Sequence, residues 1–198
     1  VGSFIVHRGD RLHLVDPGGP KYRKATFGPK RYEIPYCNSF GHSIPVINGR
    51  LQKEGHDYFG TLSTKNLNGE GDKQIVIDMT RSYPSGTIKG LLRTFTLGAN
   101  TNHLILQDAF TFSRTPRSVE ESFVTFEKAT VTRDGKSVQI GPKSGGLRLQ
   151  PLDVEGTFSI ECLDEAAKTD GKNDEVITRI AFTPKILTKL MTLRFKIG

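Results

Sequence analysis

Leu104-Ile105-Leu106-Gln107-Asp108-Ala109-Phe110-Thr111-Phe112 puts Leu104, Leu106, Phe110 and Phe112 on one side of an extended chain. A period of two over this length is the pattern of a half-buried β-strand. Ser122-Phe123-Val124-Thr125-Phe126 repeats it a few residues later. The chain has 12 Phe and no Trp, and Phe at alternate strand positions fills the seam between two packed sheets. The expected fold is therefore all-β, an antiparallel, multi-stranded β-sandwich with little helix.

Working outward, similar β-branched and aromatic runs recur near 42–47, 57–65, 73–80, 86–97, 118–127, 129–133, 137–141, 146–150, 156–163, 175–183 and 190–197. Gly, Pro, Asn and Asp separate them. Near the start, Phe4-Ile5-Val6-His7 and Arg11-Leu12-His13-Leu14-Val15-Asp16 flank Arg8-Gly9-Asp10 and predict a hairpin, with His7 and His13 as solvent-facing strand residues. Thr132-Arg133-Asp134-Gly135-Lys136 carries the Asp-Gly signal of a second hairpin. Residues 163–168 have local helical propensity, but Thr169-Asp170-Gly171-Lys172-Asn173-Asp174 interrupts it, so a loop is expected there.

The chain of 198 residues is long enough to bury roughly 70% of the surface it exposes when unfolded. One β-sandwich domain over residues 1–198 is expected. Lys and Arg number 28 against 21 Asp and Glu, a net charge of +7, which favours anionic partners. Cys37 and Cys162 stand alone in sequence, which excludes a disulfide scaffold or a cysteine-based zinc finger and leaves their pairing open. No apolar run approaches the roughly 20 residues that span a bilayer, and no P-loop, dinucleotide fingerprint or EF-hand loop is present. Nucleic acid binding would rest on charge alone, without a recognition helix or an RNP-type aromatic pair, so neither nucleic acid nor membrane is an expected partner. The chain starts on Val1, already inside an expected strand, and reads as part of a longer protein.

Residues 20–36 form the densest basic stretch: Lys21, Arg23, Lys24, Lys30 and Arg31 alternate with Tyr22, Tyr32 and Tyr36, and Glu33 is its one acid. Such a loop either is solvated or faces a ligand, with Tyr rings stacking on sugars or bases and Arg forking onto carboxylate, sulfate or phosphate. His42 follows directly, in Asn38-Ser39-Phe40-Gly41-His42-Ser43, whereas none of the five histidines has HExxH spacing. Asp16 precedes a Pro-Gly turn, where an Asp ordinarily caps the turn with its own carboxylate. Neither Ser39 nor Ser43 has a nucleophile-elbow context.

Val1-Gly2-Ser3-Phe4-Ile5-Val6-His7-Arg8-Gly9-Asp10-Arg11-Leu12-His13-Leu14-Val15-Asp16-Pro17-Gly18-Gly19, then Lys30-Arg31-Tyr32-Glu33, then Asn38 to Gly55, resembles the start of the β-domain in the heparinase II/III-like polysaccharide lyases. Ile75 to Gly86, Leu91 to Leu97 and Leu104 to Phe112 resemble its following strands, so the likeness runs over roughly two-thirds of the chain. The resemblance implies a supersandwich-like β-domain downstream of an α/α-toroid, here a C-terminal fragment without that toroid. It implies β-elimination from an acidic, uronic-acid-containing polysaccharide, with a periplasmic or secreted parent. Asp16 and His42 match two of the three ligands of a Zn2+ site in some members, the third lying before Val1. Tyr32 is then the candidate catalytic residue, and Tyr22, Lys30, Arg31 and Asn38 are candidate substrate contacts. The alternative is a non-catalytic carbohydrate-binding β-sandwich for anionic glycans.

Overall fold

The computed structural model describes residues 1–101, 103–173 and 175–198. In chain order the strands are β1 (Val6–Arg8), β2 (Arg11–Leu14), β3 (Val46–Ile47), β4 (Thr61–Lys65), β5 (Lys73–Asp78), β6 (Gly90–Leu97) and β7 (Leu104–Thr111). They continue with β8 (Val119–Thr125), β9 (Ala129–Val131), β10 (Val138–Ile140), β11 (Leu147–Leu152), β12 (Gly156–Cys162), β13 (Thr178–Pro184) and β14 (Leu190–Ile197). One helix, α1 (Asp164–Asp170), joins β12 to β13. An eight-stranded sheet in the order β4-β5-β6-β7-β14-β11-β10-β9 faces a four-stranded sheet in the order β12-β13-β8-β3, and β1 and β2 form a separate hairpin. The expected all-β sandwich is the observed fold.

The alternation sets the register. Leu106 of β7 lies opposite Phe95 of β6 on one side and Phe195 of β14 on the other, so all three side chains share the inner face. Phenylalanine does fill the seam: Phe123 and Phe195 meet edge-on with centroids 5.0 Å apart, and Phe182 meets Phe195 at 5.2 Å. Each such buried ring contributes about 1.5–3 kcal/mol through loss of contact with water.

Every residue of β8 except Glu120 is buried, because β8 is covered on both faces. Val119 and Phe123 point into the seam, while Val124 joins a second cluster with Val15, Ile34, Tyr36, Leu163 and Ile177. That cluster lies under a third layer, built from α1 and from the stretch between Pro17 and His42. This stretch carries no regular period because it is a series of short 3-10 turns, Lys24–Phe27, Arg31–Glu33, Pro35–Cys37 and Ser39–Gly41. The last two pack so closely that a Cβ on Gly41 would stand 2.5 Å from the Pro35 carbonyl oxygen, a separation only glycine permits.

Three expectations need correction. Residues 164–170 are helical rather than looped: Asp164 and Glu165 complement the positive end of the helix dipole, Lys168 Nζ bonds Glu165 Oε1 at 3.0 Å, and Leu163 is buried beneath. Asp174 of the predicted interruption lies outside the described residues. His13 is fully buried rather than solvent-facing, because the Val15 N–H donates to the Val124 carbonyl and seats the hairpin against β8. Its Nδ1 lies 3.0 Å from Glu127 Oε2, and Arg11 Nη2 reaches Glu127 Oε1 at 3.1 Å. The strand expected from 42 begins only at Val46, since Pro45 lacks the N–H a ladder requires. Both cysteines are free thiols, and the Asp-Gly hairpin joins β9 to β10 with Gly135 at φ +70°.

Inside the seam the structure holds a charged group. Arg93 of β6 is fully buried, and its five N–H donors are all used. Nε and Nη2 bond Asp108 of β7 at 2.9 and 2.6 Å, Nη2 bonds Glu121 of β8 at 2.7 Å, and Nη1 donates to the carbonyls of Gly2 at 2.8 Å and Ser43 at 2.6 Å.

Candidate functional site

The segments pinned by Arg93 frame a cavity of about 590 Å³. Ser43 follows His42, and Gly2 precedes Ser3, and both His42 and Ser3 line the cavity. The Ser43 hydroxyl accepts from the Val124 N–H at 3.1 Å, a second bond that fixes the residue directly after His42. Ser3 Oγ is buried without a partner among the described residues. The opposite wall comes from the loop after β3, where the Gln52 N–H donates to Ser39 Oγ at 2.9 Å and Gln52 Nε2 donates to the Val1 carbonyl at 2.9 Å.

Asp16 does two things at once. Oδ1 accepts from the Gly18 N–H at 3.0 Å, the turn-capping bond expected of an Asp at this position, while Oδ2 lies 3.2 Å from His42 Nδ1. The His42 hydrogen bond holds the Asp16 carboxyl well below the usual carboxylate range, against the opposing effect of partial burial. An ionised carboxylate only accepts, so His42 Nδ1 carries the hydrogen of this bond, and in the neutral ring the lone pair is the one on Nε2.

Tyr32 and Asn38 line the same cavity. Asn38 Nδ2 donates to the Tyr32 carbonyl at 3.0 Å and Oδ1 accepts from the Phe40 N–H at 2.9 Å, so this amide holds the turn that carries Tyr32. Arg31 and Lys30 are absent from the lining. The Arg31 guanidinium lies 5.8 Å from the centre of the Tyr32 ring and donates through Nη1 to the Thr26 carbonyl at 3.2 Å, supporting the Tyr32 turn from behind. Tyr22 also stands elsewhere, exposed on the surface against Phe27. Tyr36, Gln52, Lys53, Glu54 and Tyr58 also line the cavity. Lys53 Nζ sits 5.3 Å from the Tyr58 ring centre, and nothing in sequence periodicity marks either residue.

No group of three His, Cys, Asp or Glu side chains placed to hold a metal ion exists among the described residues. Asp16 and His42 are two donors, and a zinc site ordinarily takes at least three protein ligands. Among the described residues the donor set therefore does not fit a resident zinc ion.

No protein-family profile matches this chain, and no curated protein sequence matches it. Among solved structures it superimposes on a mutant of the heparan sulfate lyase HepC from Pedobacter heparinus with a TM-score of 0.72. The two share a fold. The superposition covers 99% of this chain at 13% sequence identity, and this chain spans 30% of the length of that lyase.

Proposed function

We propose that this chain is the β-domain of a polysaccharide lyase that cleaves uronic-acid-containing acidic polysaccharides by β-elimination. The observation that carries the reading is the Asp16–His42 pair sharing one cavity with Tyr32, on a fold shared with a heparan sulfate lyase. β-Elimination needs a base for the proton on C5, positive or hydrogen-bonding groups for the uronate carboxylate, and an acid for the leaving O4. The C5–H electron pair becomes the C4=C5 double bond, the C4–O4 bond breaks, and O4 takes a proton.

His42 Nε2, with its lone pair fixed by Asp16, is the proton acceptor. The Tyr32 hydroxyl is the proton donor to O4. Lys53 on the facing wall receives the carboxylate, while the Gln52 side chain beside it holds the Val1 carbonyl. The catalytic cleft is completed by an upstream α/α-toroid domain of the same parent protein, which is exported to the periplasm or secreted because a long polyanion stays outside the cell. A zinc ion joins this site only where that parent supplies the third ligand.

The test is the ultraviolet absorbance of unsaturated uronate products. This chain and the parent with its preceding domain are each given heparan sulfate, hyaluronan, chondroitin and alginate. Product from the longer protein, lost on His42→Ala and on Tyr32→Phe, is the expected result. No product from either protein, with glycan still bound by this chain, would replace the lyase by a non-catalytic carbohydrate-binding module.

A further inference from the structure

We propose that the same polyanion continues out of the cavity along a second, cationic-aromatic subsite on the Tyr22–Phe27 knob. This rests on the glycan reading above, though not on catalysis. Tyr36 lines the main cavity and also a smaller pocket of about 130 Å³, whose other walls include Gly18, Gly19, Phe126 and Lys172. The Asp16–Gly19 turn thus separates two adjoining depressions, with Asp16 on one side and the glycines on the other. Lys172 carries the path onward, since its Nζ lies 5.3 Å from the centre of the Tyr22 ring.

Tyr22 and Phe27 pack with ring centres 5.5 Å apart and remain 72% and 70% exposed. Two adjacent large aromatics left in water lose the stabilisation that burial would bring, which marks a surface kept for contact. The knob beneath them is rigid. The Lys21 N–H donates to the Asp170 carbonyl at 2.6 Å, Arg23 Nε donates to Asp170 Oδ1 at 2.9 Å, and the fully buried Thr26 hydroxyl donates to the Lys21 carbonyl at 3.0 Å. Asp170 neutralises Arg23, whereas Lys21 and Lys24 form no ion pair among the described residues. A fixed aromatic face with the Lys172 ammonium against it, and with Lys21 and Lys24 next to it in sequence, suits a sugar ring that presents C–H bonds to the aromatics and a carboxylate or sulfate to the lysine. Glu175 shares the connecting pocket with Lys172. Single-stranded nucleic acid is the other polyanion that stacks on aromatic rings, and the continuity with the cavity favours the glycan.

The test is calorimetric titration of this chain with heparan sulfate and hyaluronan oligosaccharides of increasing length, beside dextran and single-stranded oligonucleotides. Because Tyr22 and Phe27 are exposed, Tyr22→Ala/Phe27→Ala should melt with the unaltered chain, and matching melts are required before affinities are compared. The expected result is a loss of about tenfold for long acidic oligosaccharides, shrinking as the ligand shortens, together with a smaller salt dependence in Lys172→Gln. Long oligosaccharides bound equally well by the double variant would overturn the subsite while leaving the cavity reading intact. Oligonucleotide binding that depends on Tyr22 and Phe27, without glycan binding, would overturn it in favour of nucleic acid. Failure of the lyase reading shows separately, as missing unsaturated product.

Discussion

Arg93 Nη2 and Glu121 Oε1 meet at 2.7 Å across the seam between the two sheets. The bond ties β6 of the large sheet to β8 of the small one, and the same guanidinium holds Asp108 and the carbonyls of Gly2 and Ser43. The sandwich and the cavity wall are therefore fastened by one side chain, which makes that side chain the first to test.

Arg93→Met is expected to lower the unfolding free energy by about 3–5 kcal/mol, since two carboxylates are left buried without their cation. Urea unfolding measures it. Replacing Asp108 and Glu121 by apolar residues in the same protein should restore most of the loss, and a triple variant as unstable as Arg93→Met would contradict this account.

Glu121 sits fully buried with one cation and a second carboxylate, and burial, with the charge of Asp108, pushes its carboxyl well above the ordinary range. The native protein then keeps a proton that the unfolded chain releases above about pH 4.3. Native binding of more protons means that stability falls as pH rises, up to the native value for Glu121, and is flat beyond it. Glu121→Gln keeps the acceptor and removes the titration, so its stability curve should lack this slope. Identical slopes in the two proteins would assign the pH dependence elsewhere.

Asp16 shifts the other way, its carboxyl lowered first by the His42 hydrogen bond. Its contribution to stability is present above the unfolded value of about 3.9 and is lost as pH falls through the native one. Carbon-13 titration of the Asp16 carboxyl should show protonation below the ordinary range, returning upward in His42→Ala. An unmoved titration in that variant would break the pairing on which the proton-acceptor role of His42 rests.

Adding zinc to this chain is expected to leave its melting temperature unchanged, because two donors do not make a stabilising site. A concentration-dependent rise, abolished by Asp16→Asn, would show that a third ligand is within reach of this chain after all.

Gly41→Ala should lower stability and disturb the cavity together, as its Cβ would collide with the Pro35 carbonyl. A crystal structure or the proton chemical shifts of the His42 ring would reveal the displacement, and an unchanged ring environment would detach the turn stack from the site.

The strands were legible because period two survives wherever one sheet face is buried, as Leu104 to Phe112 illustrates, whereas β8, expected to be half-buried, is covered on its second face too by the third layer. The charged seam was not, since Arg93, Asp108 and Glu121 lie on three separate strands and become partners only through the register and the stacking of two sheets. His13 escaped for the same reason: its burial depends on Glu127 and β8, over a hundred residues away. In the site, Asp16, His42, Tyr32 and Asn38 line one cavity. The neighbours Tyr22, Lys30 and Arg31 do not line it, because a run of 3-10 turns has no period from which to tell inward from outward side chains.

The full use of the five Arg93 donors has a consequence for how this protein can change over generations. Lysine has three donors and no planar fork, so no single replacement at position 93 preserves the bonds to both sheets and to the two cavity-bearing carbonyls. Any lineage that alters this residue must cross a poorly folded intermediate or change positions 108 and 121 at the same time. The surface knob around Tyr22 carries no such constraint, leaving ligand preference free to diverge while the interior is inherited unchanged.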